Sequence, residues 1–294
     1  MERDDTRGDE SGGDESGASE NWSARETPWP LPLNFREAGD PRTTSGGATA
    51  RVALVPDSAL QQHESDAAAR YGDGCAEFYD EIYAPASRAA VDRLVALAAG
   101  GPVLEAGVGT GRYALPLSGR GVAVHGVDAS AAMLDALRRK AGGAAITMTL
   151  GDFSLLSMEN AYRLIVCLTN TLSLLTDARR QAQAIARFAT ALHDSGALLL
   201  ETTYTGGDTE AVATDIALRT RAGMRRYRVD GREVDVATLD AWAACAGLHC
   251  AARWRDWRGT PWRGELGGVL SLYRKNPRQR RDAEPSGIIG APHA

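Results

Sequence analysis

Three carboxylates and three glycines stand at spacings suited to holding a nucleotide. Glu105 comes just before a turn with glycines at alternate positions, Gly107, Gly109 and Gly111. Asp128 closes the next apolar run, residues 122–127, and Asp152 lies in the triplet Gly151, Asp152, Phe153 after a third. Glycines without a Cβ let the backbone bend tightly and bring N–H groups close to a ligand. Asp128 offers two acceptor oxygens, enough for both hydroxyls of a ribose. The glycines alone leave the ligand open. Counted from Gly107, the dinucleotide frame G-x-G-x-x-G puts Arg112 where the last glycine belongs; counted from Gly109, GTGRYA fits and ends on Ala114. Glu105 discriminates, because its charge would repel a pyrophosphate and attract a ligand that carries positive charge.

Such side chains must be placed by a sheet whose strands end together, since open α/β sheets bind ligands at the carboxyl ends of their strands. Residues 102–128 read as a βαβ unit. ASAAMLDALRRKAGG is an amphipathic helix with Ser130 as its cap and Gly142 as its stop. Residues 145–150 form a third strand, and residues 162–168, YRLIVCL, a fourth that is buried on both faces. A long helix is expected over residues 177–193, a turn at DSG, and a fifth strand over 197–204 ending ETTY. Residues 205–224 read as a loop or short helix. MRRYRV, Asp230-Gly231 and REVDV read as a hairpin (224–236) on a type I′ turn, part of a substrate lid. A helix over 238–248 leads to a final antiparallel pair. Ahead of the sheet, PASRAAVDRLVALAAG is a helix opened by Pro85 and closed by Gly100.

E-x-G-x-G-x-G followed by an acid ending the next strand resembles motifs I and II of the class I S-adenosylmethionine-dependent methyltransferases. The resemblance implies an α/β, Rossmann-like fold: a seven-stranded, mostly parallel sheet with an antiparallel last strand, helices on both faces and an N-terminal helical cap. It implies S-adenosyl-L-methionine as cofactor, with Glu105 toward its ammonium and sulfonium. Gly151, Asp152 and Phe153 resemble the family's adenine corner, where the acid accepts from the adenine amino group and the next residue packs on the ring. The YD-x-x-Y pattern from Tyr79 to Tyr83 resembles the cap of small-molecule methyltransferases, which puts Tyr79 at the cofactor; Ala129, Met133 and Leu168 join it by position. ATLDAWAACAGL with ARWRDWRGTPW resembles the family's C-terminal end, so the likeness runs over roughly residues 66–275. A nicotinamide oxidoreductase and a non-catalytic nucleoside-binding module are the rival readings.

The acceptor should meet the cofactor after the fourth strand, at Thr169, Asn170 and Thr171. LTNT lacks the two prolines and aromatic expected of nucleic-acid amino methyltransferases, which argues against bases as substrate. Asn170, Glu201 and Tyr204 are the residues expected to position the acceptor, with helix capping an equal reading for Asn170. An oxygen acceptor needs a base. The five histidines, at 63, 125, 193, 249 and 293, fall in tails, within strands or at helix ends and read as structural. An amine on a small metabolite or peptide end is therefore expected, with a hydroxyl as the alternative, in natural-product tailoring; the resemblance extends to daptide-type peptide N-methyltransferases.

Composition bounds the rest. The chain has 294 residues, 44% hydrophobic, with a net charge of −5. Residues 1–50 hold 11 acids and 5 arginines, so the remainder is about +1, which gives little footing for nucleic acid. No run suits a membrane span and no signal pattern opens the chain, so a cytoplasmic protein is expected. Cysteines 75, 167, 245 and 250 form no C-x-x-C pair, and no metal site is expected. Residues 1–64 read as a disordered acidic leader, with an extended element at TPWPLPLNF, and 276–294 as a tail. Between them lies one domain, 65–275, with its cap at 65–100.

Overall fold

The structure, a computed structural model, describes residues 58–207 and 209–276. Three helices come first: α1 (Ser58–Cys75), α2 (Tyr79–Ile82) and α3 (Arg88–Ala98). Ser87 starts α3 by accepting the Ala90 N–H at 3.2 Å, and Ala99 in the left-handed conformation ends it. The chain then alternates through β1 (Val103–Ala106), α4 (Ala114–Ser118), β2 (Val124–Asp128), α5 (Ala131–Arg139), β3 (Thr147–Leu150), β4 (Tyr162–Cys167), α6 (Ala178–Ala191) and β5 (Leu192–Tyr204). A ribbon of β6 (Val212–Thr220) and β7 (Gly223–Gly231) follows, then α7 (Val236–Cys245), β8 (Leu248–Trp254) and β9 (Gly267–Lys275).

The main sheet has the order β3-β2-β1-β4-β5-β9-β8. Strands β1 to β5 pair in parallel, while β9 runs antiparallel to both β5 and β8. Alternate residues of β4 divide the core. Leu164 and Val166 face the layer holding Leu94, Leu117 and Leu137, whereas Ile165 and Cys167 face Ile185, Phe188 and Leu239. A strand covered on both faces must be apolar, which is why β4 shows no polar alternation from Leu164 to Cys167, past the half-buried Arg163 near its start. Strand order reverses between β1 and its neighbours β2 and β4, and that reversal opens the crevice at their carboxyl ends.

Four expectations change. Helix α1 begins at Ser58, inside the stretch assigned to the leader. No separate DSG turn follows α6, because β5 starts at Leu192 directly after the helix. Residues 212–220, inside the segment read as loop or short helix, form a strand. The hairpin is also displaced: MRRYRV is a strand, but it pairs backward with β6, and Gly231 sits opposite Val212. The turn is Arg221-Ala222, where Thr220 Oγ1 accepts the Ala222 N–H at 3.2 Å and donates to the Gly223 carbonyl at 2.9 Å. A hydroxyl thus supplied locally what Asp230-Gly231 had promised. Ile216, Leu218, Tyr227 and Val229 then pack on Tyr71, Cys75 and Phe78, joining the ribbon to the cap. Among the described residues no helix is long and apolar enough to cross a membrane. The rest of the proposed leader, TPWPLPLNF and residues 277–294 lie outside the described residues.

Candidate active site

The three glycines after β1 answer three different needs. Gly107 has φ +75°, and a Cβ there would overlap the Thr171 side chain. Gly111, φ +86°, would drive a Cβ into Leu137. Gly109, φ +53°, has nothing within 4 Å of a built Cβ, so it faces open space where a ligand can approach. The loop is pinned from below: the Gly107 and Val108 N–H groups donate to the Val127 carbonyl at 2.7 and 3.1 Å. Asp128 completes it, accepting the Gly109 N–H at 2.7 Å on Oδ2 and the Ser130 N–H at 2.9 Å on Oδ1.

Above this turn lies a hollow of about 500 Å³, counting the part open to solvent. Of the residues expected at the cofactor, Tyr79, Gly107, Gly109, Asp128, Ala129, Met133 and Phe153 line it. Thr171, Leu174 and Leu175 form a further wall, and Tyr71 and Gly72 enter from α1. Thr171 was expected at the acceptor corner; the other four were missed. The cap closes over the turn through polar ties: Thr110 Oγ1 donates to Asp80 Oδ1 at 2.7 Å, Lys140 pairs with Asp80 at 2.6 Å, and Ser130 Oγ donates to Asp73 at 2.6 Å. The Tyr79 and Tyr83 rings lie 4.6 Å apart. The acids at 73 and 80 gave a sequence signal that the aromatic pattern had overshadowed.

Glu105, Gly111, Gly151, Asp152 and Leu168 do not line the hollow. Glu105 is 3% exposed, and its Oε2 has no hydrogen-bond partner among the described residues. Burial pushes its carboxyl up to about 8; the Asp128 charge adds to this, while a backbone N–H at Ala114 and the Arg112 guanidinium oppose it. Burial raises Asp128 as well, against the backbone N–H groups of Ser130, Gly109 and Ala129. These residues fit an adenosyl sulfonium: a buried carboxyl oxygen without a partner, apolar walls of Met133, Phe153 and Leu175, and a turn open at Gly109. The sign of the pH effect follows. Without a cation Glu105 holds its proton below pH 8, and a cationic ligand favours the carboxylate, so binding should release a proton near pH 7. Calorimetry in buffers of different ionisation enthalpy should show that release, and Glu105→Gln should abolish it. Because the free fold binds more protons than the unfolded chain, whose carboxyl titrates at about 4.3, Glu105's contribution to stability falls as pH rises from there through 8. Asp128→Ala removes both loop ties and the oxygens expected to accept from the ribose, and should weaken cofactor binding about 100-fold; a Kd within threefold of wild type would exclude the ribose role.

Asp152 has a different occupation from the one expected. Its Oδ1 accepts the Ser154 N–H at 2.7 Å, and its Oδ2 pairs with Arg180 of α6, both side chains being 5% exposed. Arg180 also donates to Ser154 Oγ at 2.9 Å. The partner lies 28 residues downstream, out of sight of a local motif. Phe153, by contrast, lines the hollow and stacks on Phe188 with ring centroids 5.8 Å apart.

On the acceptor side, Thr169 and Asn170 both adopt positive φ, 54° and 57°. Consecutive left-handed non-glycine residues are strained and persist only when held. Glu201 holds them: its Oε2 accepts the Thr169 N–H at 2.8 Å and its carbonyl accepts the Asn170 N–H at 3.2 Å. The Asn170 side chain makes no helix cap; Oδ1 accepts the Thr203 N–H at 3.1 Å and Nδ2 donates to Glu233 Oε1 at 2.7 Å. Tyr204 meets Trp262 edge to face at 5.1 Å. Arg112, noted only for spoiling a glycine frame, donates to the Ala84 carbonyl at 2.8 Å and to Thr169 Oγ1 at 3.3 Å, linking cap and strand end. Glu233 was also missed, since its place depends on a strand pairing that the sequence concealed.

The sheet order, the glycine turn at the strand-order switch and the acids beside it define a nucleoside-binding α/β domain. The family described as Methyltransferase domain matches residues 103–196. An uncharacterized methyltransferase of Geobacillus thermodenitrificans (strain NG80-2) is 32% identical over 180 residues, 60% of this chain and 82% of the relative. The solved CcbJ methyltransferase of Streptomyces caelestis is 28% identical, with 70% of this chain and 98% of that one covered at a TM-score of 0.63. The glycopeptide N-methyltransferase MtfA complexed with S-adenosylmethionine shares the fold at 19% identity, 68% and 90% coverage and a TM-score of 0.52. The chain belongs to the class I S-adenosylmethionine-dependent methyltransferases, and its cofactor is S-adenosylmethionine. The nicotinamide and non-catalytic readings are thereby set aside.

Proposed function

We propose that this methyltransferase acts on an amine of a small metabolite or peptide end, as a tailoring step in natural-product biosynthesis. The observation that carries the reading is the strained Thr169-Asn170 corner beside the Thr171 wall of the hollow, where an amide and two carboxylates, Glu201 and Glu233, converge. Acceptors of hydrogen bonds and negative charge suit an amine, which arrives as a donor and a cation.

When bound, the cofactor would supply a methyl group on positively charged sulfur, open to displacement by the acceptor nitrogen with the bonding electrons staying on sulfur. The chain's own task is placement in a site shielded from water. Asp128, Met133 and Phe153, with Glu105 behind them, would hold the cofactor. Glu201 fixes the corner from which Asn170 projects, and Tyr204 with Trp262 supplies an aromatic wall on the substrate side. Alignment of this kind is worth effective molarities of ~10⁵ to 10⁸ M. Incubation with methyl-labelled S-adenosylmethionine and matched panels of primary amines, free-amino peptides, phenols and alcohols tests the reading. A mass gain of one methyl group confined to nitrogen is expected; methylation of hydroxyls alone would overturn it.

A further inference from the structure

We propose that Glu233 receives the proton of the methyl-accepting nitrogen, with Asn170 positioning its carboxylate; this rests on the amine reading above. One oxygen already has a structural occupation, because Oε1 accepts from Asn170 Nδ2 at 2.7 Å. The other, Oε2, is withdrawn from water and has no partner among the described residues. Leaving a polar atom buried and unpaired is costly, and a glutamine would keep the link to Asn170 without a charge to bury. The hydroxyl of Thr203, whose N–H donates to Asn170 Oδ1, is likewise buried without a partner among the described residues. Two such groups, joined through Asn170, mark a place that a polar ligand completes.

The carboxylate is held for this task. Its backbone N–H donates to Thr209 Oγ1 at 2.8 Å and its carbonyl accepts the Thr209 N–H at 3.2 Å. The neighbouring Arg232 N–H donates to the Ser173 carbonyl, and the Arg232 carbonyl accepts from Gln181 Nε2, both at 2.8 Å. The terminal torsion of a glutamate is soft, so a small rotation presents an oxygen without moving this backbone. The charged groups around it have other partners. Arg232 donates to Gln181 Oε1 at 2.8 Å, Arg180 pairs with Asp152, Asp235 accepts the Ala237 N–H at 3.2 Å, and Glu201 holds Thr169. Burial raises the Glu233 carboxyl to about 7, the hydrogen bond from Asn170 acting against it. A carboxylate poised there takes a proton from an ammonium: the N–H bond breaks, its electrons stay on nitrogen, and an O–H bond forms on Glu233, which passes the proton to water.

The test uses protein carrying ¹³C at glutamate side-chain carboxyls, with Glu233→Gln identifying the resonance, and n-butylamine and tetra-alanine as probes in the presence of S-adenosylhomocysteine. The resonance should titrate near neutral pH and move to lower pH when an amine is present. Glu233→Gln should keep cofactor affinity within twofold, lose about 100-fold in kcat on the best amine of the panel and lose the acid limb of its pH profile; Glu233→Asp should restore part of the rate. A resonance unmoved by every amine, or Glu233→Gln with wild-type kcat and pH profile, overturns the proposal. If the enzyme methylates hydroxyls alone, the amine reading fails by itself, and the pH profile of Glu233→Gln on that hydroxyl decides separately whether this carboxylate is a base.

Discussion

Arg180→Ala is expected to lower the unfolding free energy by about 3 to 5 kcal/mol, measured by urea denaturation, while cofactor affinity at low denaturant stays within threefold of wild type. The guanidinium is buried against Asp152 and Ser154, and its removal strands a carboxylate that keeps only the Ser154 N–H. A buried charge without its counter-ion is far more costly than the pair is beneficial. Replacing both Arg180 and Asp152 with leucine should therefore regain much of the loss. The same series examines the adenine corner. Were Asp152 bound to the adenine amino group, the double variant would lose affinity about as much as Asp128→Ala does; if it is a structural acid, stability alone moves. A change in unfolding free energy below about 1 kcal/mol would contradict the buried pair.

Gly107→Val should abolish measurable cofactor binding, a loss of at least about 100-fold by calorimetry, with the far-ultraviolet circular dichroism of a folded protein. Two causes act together. The residue sits at φ +75°, where a β-branched side chain is strained, and its Cβ would overlap Thr171, which is itself part of the hollow's wall. Thr171→Ala in the same chain relieves the overlap but not the dihedral, so recovery should be partial. Gly109→Ala offers the contrast. Its methyl meets nothing in the free protein, which leaves only the strain of φ +53°, so a loss of affinity larger than the loss of stability measured in the same variant reports intrusion on the ligand itself. Unchanged binding in Gly107→Val would refute the tight-turn account.

Much of this molecule was written in local sequence. The strands β1, β2 and β4 follow from apolar runs long enough to cross a covered sheet, and the cap at Ser130 from a short polar side chain ahead of a helix. Glu105, the glycines and Asp128 were legible because a tight turn between strand and helix admits few residues. What the sequence could not disclose were pairings between distant segments. Val212–Thr220 lacks a clean alternation of apolar and polar residues, so its role as the partner of β7 appeared only when Ile216 and Leu218 met the cap.

By itself, then, the sequence determined the α/β domain, the nucleoside-holding turn and the order of its acids, because backbone geometry and strand burial are short-range demands that each residue type answers alone. Tertiary structure decided which acids are free to act. Asp152 is claimed by Arg180 and Glu201 by the backbone of Thr169, whereas Glu105 and Glu233 each keep a buried oxygen without a partner among the described residues. A carboxylate's function depends on what else lies within about 3 Å of it, and that is settled only when remote stretches of chain are packed together.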